Sequence, residues 1–262
     1  MKKEYFLLGI LSVILLAAGV WIYQIISEYQ KAEQEYEQLQ EYVKVEKNTK
    51  EPENMKPETT EDDKEKEKPE ETVTVDFATL QEINPDVVAW IRIPGVLEYP
   101  VVRGEDNSYY LNHTVQKTYN IAGSIFLDYR NERDFSDSKN IIYGHNMKDG
   151  SMFQNLHNYT DMTYMQQHPN VIIYTPDQKL TYQIFAAVVY DDRHILHSFD
   201  YAFADQRQAF LDSIYNSRNL GNVIRDDVSV NTDSRILTLS TCMTGQDDKR
   251  FLVEAVLISE ED

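Results

Sequence analysis

The sequence predicts a mainly β fold, a single barrel or sandwich with helical insertions over residues 73–262, held to a membrane by an N-terminal helix. Three observations carry this. Eight β-branched and aromatic runs, separated by turn residues, fall within about 190 residues after position 72. One clear amphipathic pattern interrupts them, about Ala202 to Asn216, where Phe203, Phe210, Leu211 and Ile214 share a helical face. Ahead of both lies an uncharged stretch long enough to cross a bilayer, followed by an acidic segment poor in core-forming residues.

The chain opens Met1-Lys2-Lys3-Glu4, then runs without a charge from Tyr5 to Ile26, 22 residues in all. At about 1.5 Å per residue that run spans a hydrocarbon core of about 30 Å. Tyr5, Trp21 and Tyr23 stand near its ends, where amphipathic rings settle at the interface. Lys2 and Lys3 precede the span and acidic residues follow it, so residues 1–27 read as a single-pass signal anchor, N-terminus cytoplasmic and the bulk of the chain extracellular. A cleaved signal peptide is the alternative, with Ala17-Ala18-Gly19 as its small-residue site. Apolar residues continue past that site, which favours the retained anchor.

Residues 28–72 read as an acidic helical stalk and a disordered linker. Tyr29, Ala32, Tyr36, Leu39 and Val43 are spaced 3, 4, 3, 4, the rhythm of a helical seam, over too few heptads for a coiled coil; a solvated helix continuing the anchor fits better. From Asn48 to Glu71 only Met55 is large and apolar, and three prolines interrupt the run. Such a segment buries too little surface to offset its ordering entropy.

The globular part begins with Asp76, an N-cap for a short helix over FATLQEI. VVAWIRI, EYPVV, GSIFLD, NIIYGH, NVIIYT, LTYQIFAAVVY, RILTLST and RFLVEAVLI are the eight strand candidates; Pro94-Gly95 marks a turn and DNSYYLN a capped helical turn.

There are 44 acidic against 25 basic residues, a net charge of −19, which argues against nucleic acid as a partner. Cys242 is the only cysteine. It cannot form an intramolecular disulfide, and in an exported chain an unpaired thiol invites oxidation. Free cysteine also serves as a small buried hydrophobe. Here the residue comes at the end of the strand that Ile236–Ser240 begins and precedes the polar run Met243–Asp248, a position where a rigid scaffold holds catalytic groups open to substrate.

A thiol nucleophile needs a proton-transfer partner and a group that stabilises oxyanion charge. His145, after Ile141-Ile142-Tyr143 and beside Gly144, is the candidate for the first. His113, His157, His168, His194 and His197 read as ordinary surface or capping residues, and no metal-ligand spacing links them to Cys242. Neither a metal nor a cofactor is expected. Arg250 opens the last strand, and if that strand pairs antiparallel with the one carrying Cys242, the two residues meet at one end of the sheet. A surface ion pair of Arg250 with Asp247 or Asp248 is the other reading. A free thiol and a free imidazole are both mainly neutral at pH 7, with pKa values of about 8.5 and about 6.5, so a nearby guanidinium that favours thiolate has a clear use.

Thr238-Leu239-Ser240-Thr241-Cys242 matches the T-L-x-T-C signature of sortases, the membrane-anchored cysteine transpeptidases of Gram-positive bacteria. Tyr143–Met147, continued by Asp149–Phe153, resembles the histidine segment of class B sortases, and so does Gly123–Asn131. The resemblance runs from about Asp76 to the C-terminus. It implies an eight-stranded sortase-type β-barrel with added N-terminal helices and one helix between strands 6 and 7, where Ala202–Asn216 falls. It also implies that Cys242 attacks the carbonyl of a Thr in a C-terminal sorting signal of a secreted protein, and that the thioacyl enzyme is resolved by an amine. That amine belongs to a peptidoglycan precursor or, alternatively, to a pilin lysine. His145 would serve as general acid and then base, and Arg250 would hydrogen-bond the substrate carbonyl. Ser240, Thr241 and Asn112 would touch substrate, although an Asn ending a helical turn is also an ordinary C-cap. Met243, where some relatives carry a polar residue, would shift specificity.

Papain-like and NlpC-type peptidases put the cysteine at a helix N-terminus with histidine downstream, whereas His145 lies 97 residues upstream. The His-Gly-Cys cluster of L,D-transpeptidases is absent. A non-catalytic membrane-tethered β-domain is the remaining alternative.

Overall fold

The computed structural model describes residues 2–47 and 71–261, so the expected disordered linker lies outside the described residues except for Glu71, which opens a strand. In chain order the elements are helix α1 (Lys2–Gln40), strands β1 (Val43–Lys47) and β2 (Glu71–Val75), helix α2 (Phe77–Ile83), and strands β3 (Val87–Ile93), β4 (Leu97–Val102), β5 (Ile125–Leu127) and β6 (Lys139–Tyr143). Helix α3 (Met162–Gln167), β7 (Asn170–Tyr174), β8 (Lys179–Asp191), α4 (Ile195–Ser198), α5 (Ala204–Tyr215), β9 (Val223–Ile224), β10 (Ile236–Met243) and β11 (Gln246–Glu261) complete the chain. Two 3-10 turns, Tyr109–Leu111 and Gln154–Thr160, flank the site described below.

Eight strands close into a barrel in the order β11-β10-β6-β5-β4-β3-β7-β8, with β8 pairing back onto β11. They are the eight runs that the sequence picks out. Full closure removes unpaired edges, which an open sheet leaves as templates for aggregation. Pairing is antiparallel except at β4–β5 and β6–β10, which are parallel. Side chains alternate across the barrel wall. Ile142, Leu237, Leu239, Phe251 and Val253 join the main core, while Ile141, Ile236, Leu252 and Val256 pack outward with Phe210, Leu211 and Ile214 of α5. That helix lies between the sixth and seventh barrel strands, as expected. It starts two residues later than expected, because Phe203 is its N-cap and stays exposed, and Asn216 is its C-cap.

Asp76 caps α2, its carboxylate accepting from the Thr79 amide at 3.0 Å and the Thr79 hydroxyl at 2.9 Å. Those two donors hold its carboxyl below the usual range.

The expected solvated stalk is replaced by a docked helix. Ala32, Tyr36 and Leu39 are buried in the main core, with Tyr29 and Val43 packed against it. The 3, 4 spacing is real, but the surface it meets is the barrel. Tyr36 donates its hydroxyl to the Gly123 carbonyl at 2.6 Å, the Gln116 amide donates to Glu35 at 2.9 Å, and Asn120 donates to the Glu28 carbonyl at 2.9 Å. After α1, β1 pairs antiparallel with β2, so residues on both sides of positions 48–70 are tied to one another.

The polar run after Cys242 is a hairpin rather than a loop. Met243 pairs with Gln246 around Thr244-Gly245, and Gly245 takes a φ of +74°, which suits a residue without a Cβ. Cys242 pairs with Arg250, so Asp247, Asp248 and Lys249 bulge out without a partner on β10.

Candidate active site

Strand parity explains which side chains meet. On β10, Ile236, Thr238, Ser240 and Cys242 share the outer face of the barrel; Glu254, Leu252 and Arg250 share it on β11, and Lys139, Ile141 and Tyr143 on β6. Ser240 lies in parallel register with Tyr143, where the ladder ends; His145 follows two residues on and lines the same cavity as Cys242. On the other side Cys242 is the direct antiparallel partner of Arg250. A cysteine on β10 thus has an arginine as its cross-strand partner and shares a cavity with a histidine.

All three line one cavity of about 240 Å³, together with Ser240, Thr241 and the connection after β8 from Asp191 to Ile195. The thiol is exposed. His145 has its Nε2 2.6 Å from the Leu111 carbonyl. A neutral ring donating there carries its proton on Nε2 and its basic lone pair on Nδ1. Arg250 donates through one terminal amino group to the carbonyls of Asp247 and Lys249, both at 2.9 Å. The guanidinium therefore braces the bulge instead of pairing with Asp247 or Asp248. This fixes the fork and leaves Nε–H and the second amino group available to a further acceptor.

Gly144 makes the histidine's position possible. A Cβ there would stand 2.5 Å from Ile125 Cδ1 and 2.7 Å from the Phe153 ring. The backbone presses against its neighbours, and its amide still donates to the Ser240 carbonyl at 3.1 Å.

Of the three expected substrate contacts, Ser240 shares the thiol's face. Thr241 has the opposite parity; it is buried, and its hydroxyl has no hydrogen-bond partner among the described residues. Asn112 is exposed and ends the Tyr109–Leu111 turn as its C-cap, its amide donating to the Tyr109 carbonyl. Leu111, the residue before it, lines the cavity and holds His145. Met243 packs against the main core and does not line the cavity.

Sequence reasoning missed a second set of groups. The buried Asp128 carboxylate accepts from Tyr143 Oη and Asn107 Nδ2, both at 2.9 Å, and lies 3.2 Å from His194 Nε2. Tyr143, Asn107 and His194 line the cavity. His194, which stacks on His197 at 4.0 Å, thereby ties the wall formed after β8 to the barrel. Burial holds its imidazole below the ordinary value, against the opposing pull of Asp128. Burial first, and Asp128 next, push the Tyr143 phenol upward, so it remains a donor at all ordinary pH. Behind the thiol, Asn146 Nδ2 lies 3.0 Å and His157 Nε2 3.2 Å from the Cys242 carbonyl. Asn146 had a signal in the sequence, its place beside His145. His157 and His194 had none, because their partners lie 85 and 66 residues away. Among the described residues no group of three or more His, Cys, Asp or Glu side chains is arranged to hold a metal ion.

Comparison with known proteins agrees with this fold. The family model described as "Sortase domain" matches residues 91–258. Sortase B of Listeria monocytogenes is 36% identical over 185 residues, covering 69% of this chain and 73% of the relative. The crystal structure of Staphylococcus aureus sortase B is similar with a TM-score of 0.63 and 33% identity, covering 70% of this chain and 86% of that one. A sortase B solved in complex with triglycine gives a TM-score of 0.63 and 34% identity, with coverage of 70% and 85%. The chain belongs to the sortase family of cysteine transpeptidases, in its sortase B branch.

Proposed function

We propose that this sortase cleaves a C-terminal sorting signal after Thr and transfers the protein so released to an amine of a cell-wall precursor. The observation that carries the reading is the single cavity that Cys242, His145 and Arg250 line together, with Arg250 directly across the strand pair from Cys242.

Each step follows from the groups present. His145 takes the thiol proton at Nδ1, and the Cys242 thiolate attacks the Thr carbonyl carbon. The negative charge that develops on the carbonyl oxygen meets the free donors of Arg250. As the C–N bond breaks, the imidazolium passes its proton to the departing nitrogen, leaving a thioester. An incoming amine then attacks the thioester, gives a proton to His145, and expels the thiolate. One amide has been exchanged for another, and the histidine's proton returns to sulfur. Ser240 borders the reacting centre, whereas Asn112 follows Leu111 just outside the cavity lining. The relative in complex with triglycine supports an amine as acceptor.

The Tyr5–Ile26 segment of α1 serves as the anchor, with the N-terminus cytoplasmic and the barrel outside the cell. In support, the helix is long and apolar enough to cross a membrane, and no described residue of the span is buried. The partners are thus secreted proteins bearing sorting signals, reached at the outer surface of the membrane.

The test is a peptide-library cleavage profile of the full chain in detergent, with triglycine and a lysine-bearing peptide as competing acceptors. Cleavage after Thr with transfer to triglycine is expected. Transfer only to the lysine side chain points to pilin assembly instead, and no amine-dependent product rules out the transpeptidase reading.

A further inference from the structure

The parallel ladder between β6 and β10 has a last backbone rung in which the Gly144 amide donates to the Ser240 carbonyl at 3.1 Å. A regular ladder would continue two residues on, from the residue 146 amide to the Cys242 carbonyl. It does not. The Asn146 backbone turns away into an isolated bridge with Met152, and the Phe153 amide donates to the His145 carbonyl at 2.9 Å. The missing rung is supplied by a side chain: Asn146 Nδ2 donates to the Cys242 carbonyl at 3.0 Å and to the Thr244 hydroxyl at 3.1 Å.

His157 Nε2 reaches the same carbonyl at 3.2 Å. Its ring stacks on Phe251 at 4.8 Å and 27°, and Phe251 is the buried cross-strand partner of Thr241. Burial lowers the imidazole's affinity for protons, so it is a neutral Nε2–H donor near pH 7. The location gives the clamp its purpose. Immediately after Cys242 the β10–β11 register breaks, and on the other side β6 has already ended. The nucleophile therefore sits where neither neighbouring strand continues a regular ladder beyond it.

We propose that Asn146, assisted by His157, is a positioning residue for Cys242: the two side chains hold the Cys242 carbonyl, fix the orientation of the nucleophile's backbone, and free the His145 backbone to leave the sheet and face the cavity. This rests on the reading of Cys242 as nucleophile. A side-chain rung achieves what a backbone rung cannot, because it keeps β10 in place while letting the two strands diverge at the point where substrate must enter.

The experiment uses the full chain in detergent and two readouts. The first is turnover of a Thr-containing sorting-signal peptide; the second is the rate of Cys242 alkylation by iodoacetamide, followed by intact mass. With one cysteine in the chain the second reading needs no substrate, so it survives failure of the proposed function. Asn146→Asp keeps the shape but loses the donor. It is expected to lower kcat by about 10- to 100-fold with little change in KM, as misplacement of a reacting group does, and to change the alkylation rate severalfold. His157→Gln, which keeps a donor, should retain most activity, whereas His157→Phe, which keeps only the stacking ring, should lose about tenfold in kcat. The His157 pair also decides the matter if the Asn146 variant fails to fold. Unchanged kcat and alkylation in folded Asn146→Asp, or equal behaviour of the two His157 variants, overturns the proposal.

Discussion

Truncating Leu39 to Ala tests whether α1 is part of the catalytic domain or only its leash. Leu39 is 1% exposed and belongs to the main core, with Tyr36 one turn before it donating into the Gly123 carbonyl. Leu→Ala at such a site removes the side chain's transfer energy and leaves a cavity, which together cost about 2–5 kcal/mol. For a domain of this size about 1 kcal/mol corresponds to roughly 2–4 °C in Tm, so a loss of about 3 kcal/mol lowers Tm by roughly 6–12 °C. Gln34→Ala, on the exposed side of the same helix, is the control and should shift Tm by no more than about 1–2 °C. Both are measured by thermal unfolding of the full chain in detergent, following near-ultraviolet dichroism of the barrel. A solvated stalk makes the two variants equal. If Leu39→Ala leaves the barrel's Tm unchanged, the docking argument is refuted. If the shift appears, a fragment starting at residue 73 lacks both the helix face and the β1 partner of β2, and its activity understates the enzyme's.

Further outcomes follow from the same structure. Arg250→Lys keeps the charge but cannot brace two carbonyls and still offer a planar pair of donors, so steady-state kinetics should show most of kcat lost; near-normal kcat removes Arg250 from the oxyanion role. Lys139 and Glu254 form a buried ion pair at 2.7 Å beneath α5, with the ammonium 3.9 Å above the Phe210 ring and burial pushing its pKa down to about 8. Lys139→Met should cost about 3–5 kcal/mol in urea unfolding by stranding the Glu254 carboxylate, and adding Glu254→Leu should recover most of it; additive losses contradict the pairing. His157 and His194 both have folded-state pKa values held down by burial, so the unfolded chain binds more protons below about pH 6.5. Their contribution is complete above that pH and declines as pH falls through the folded values. Tm should therefore drop as pH falls below about 6.5, and the drop should shrink in His157→Gln/His194→Gln; an unaltered slope refutes it.

The eight barrel strands were legible because their β-branched and aromatic runs are long and bounded by Gly, Pro, Asn and Asp, and Asp76 announced α2 by its capping chemistry. That Cys242, His145 and Arg250 come together at one cavity was legible for a related reason: each stands near the end of such a run. What stayed hidden depends on distant partners. The Tyr29–Val43 spacing reads the same whether the apolar stripe meets water, another helix or a barrel, and only the contacts to Gln116, Asn120 and Gly123 decide. The Met243–Asp248 run looks like a loop because its polar residues form an exposed hairpin tip and a three-residue bulge. Thr241 looked equivalent to Ser240, yet one residue of strand turns its side chain to the opposite face. His194 and Asp128 carry no mutual spacing signal at all.

The most direct measurement of the central claim is the intact mass of the full chain after mixing with a sorting-signal peptide in the absence of any added amine. The account predicts an adduct equal to the peptide's acyl portion, located on Cys242 by fragmentation, absent in Cys242→Ala, and discharged when triglycine is added. Amine-dependent product that forms without that adduct, or persists in Cys242→Ala, contradicts it.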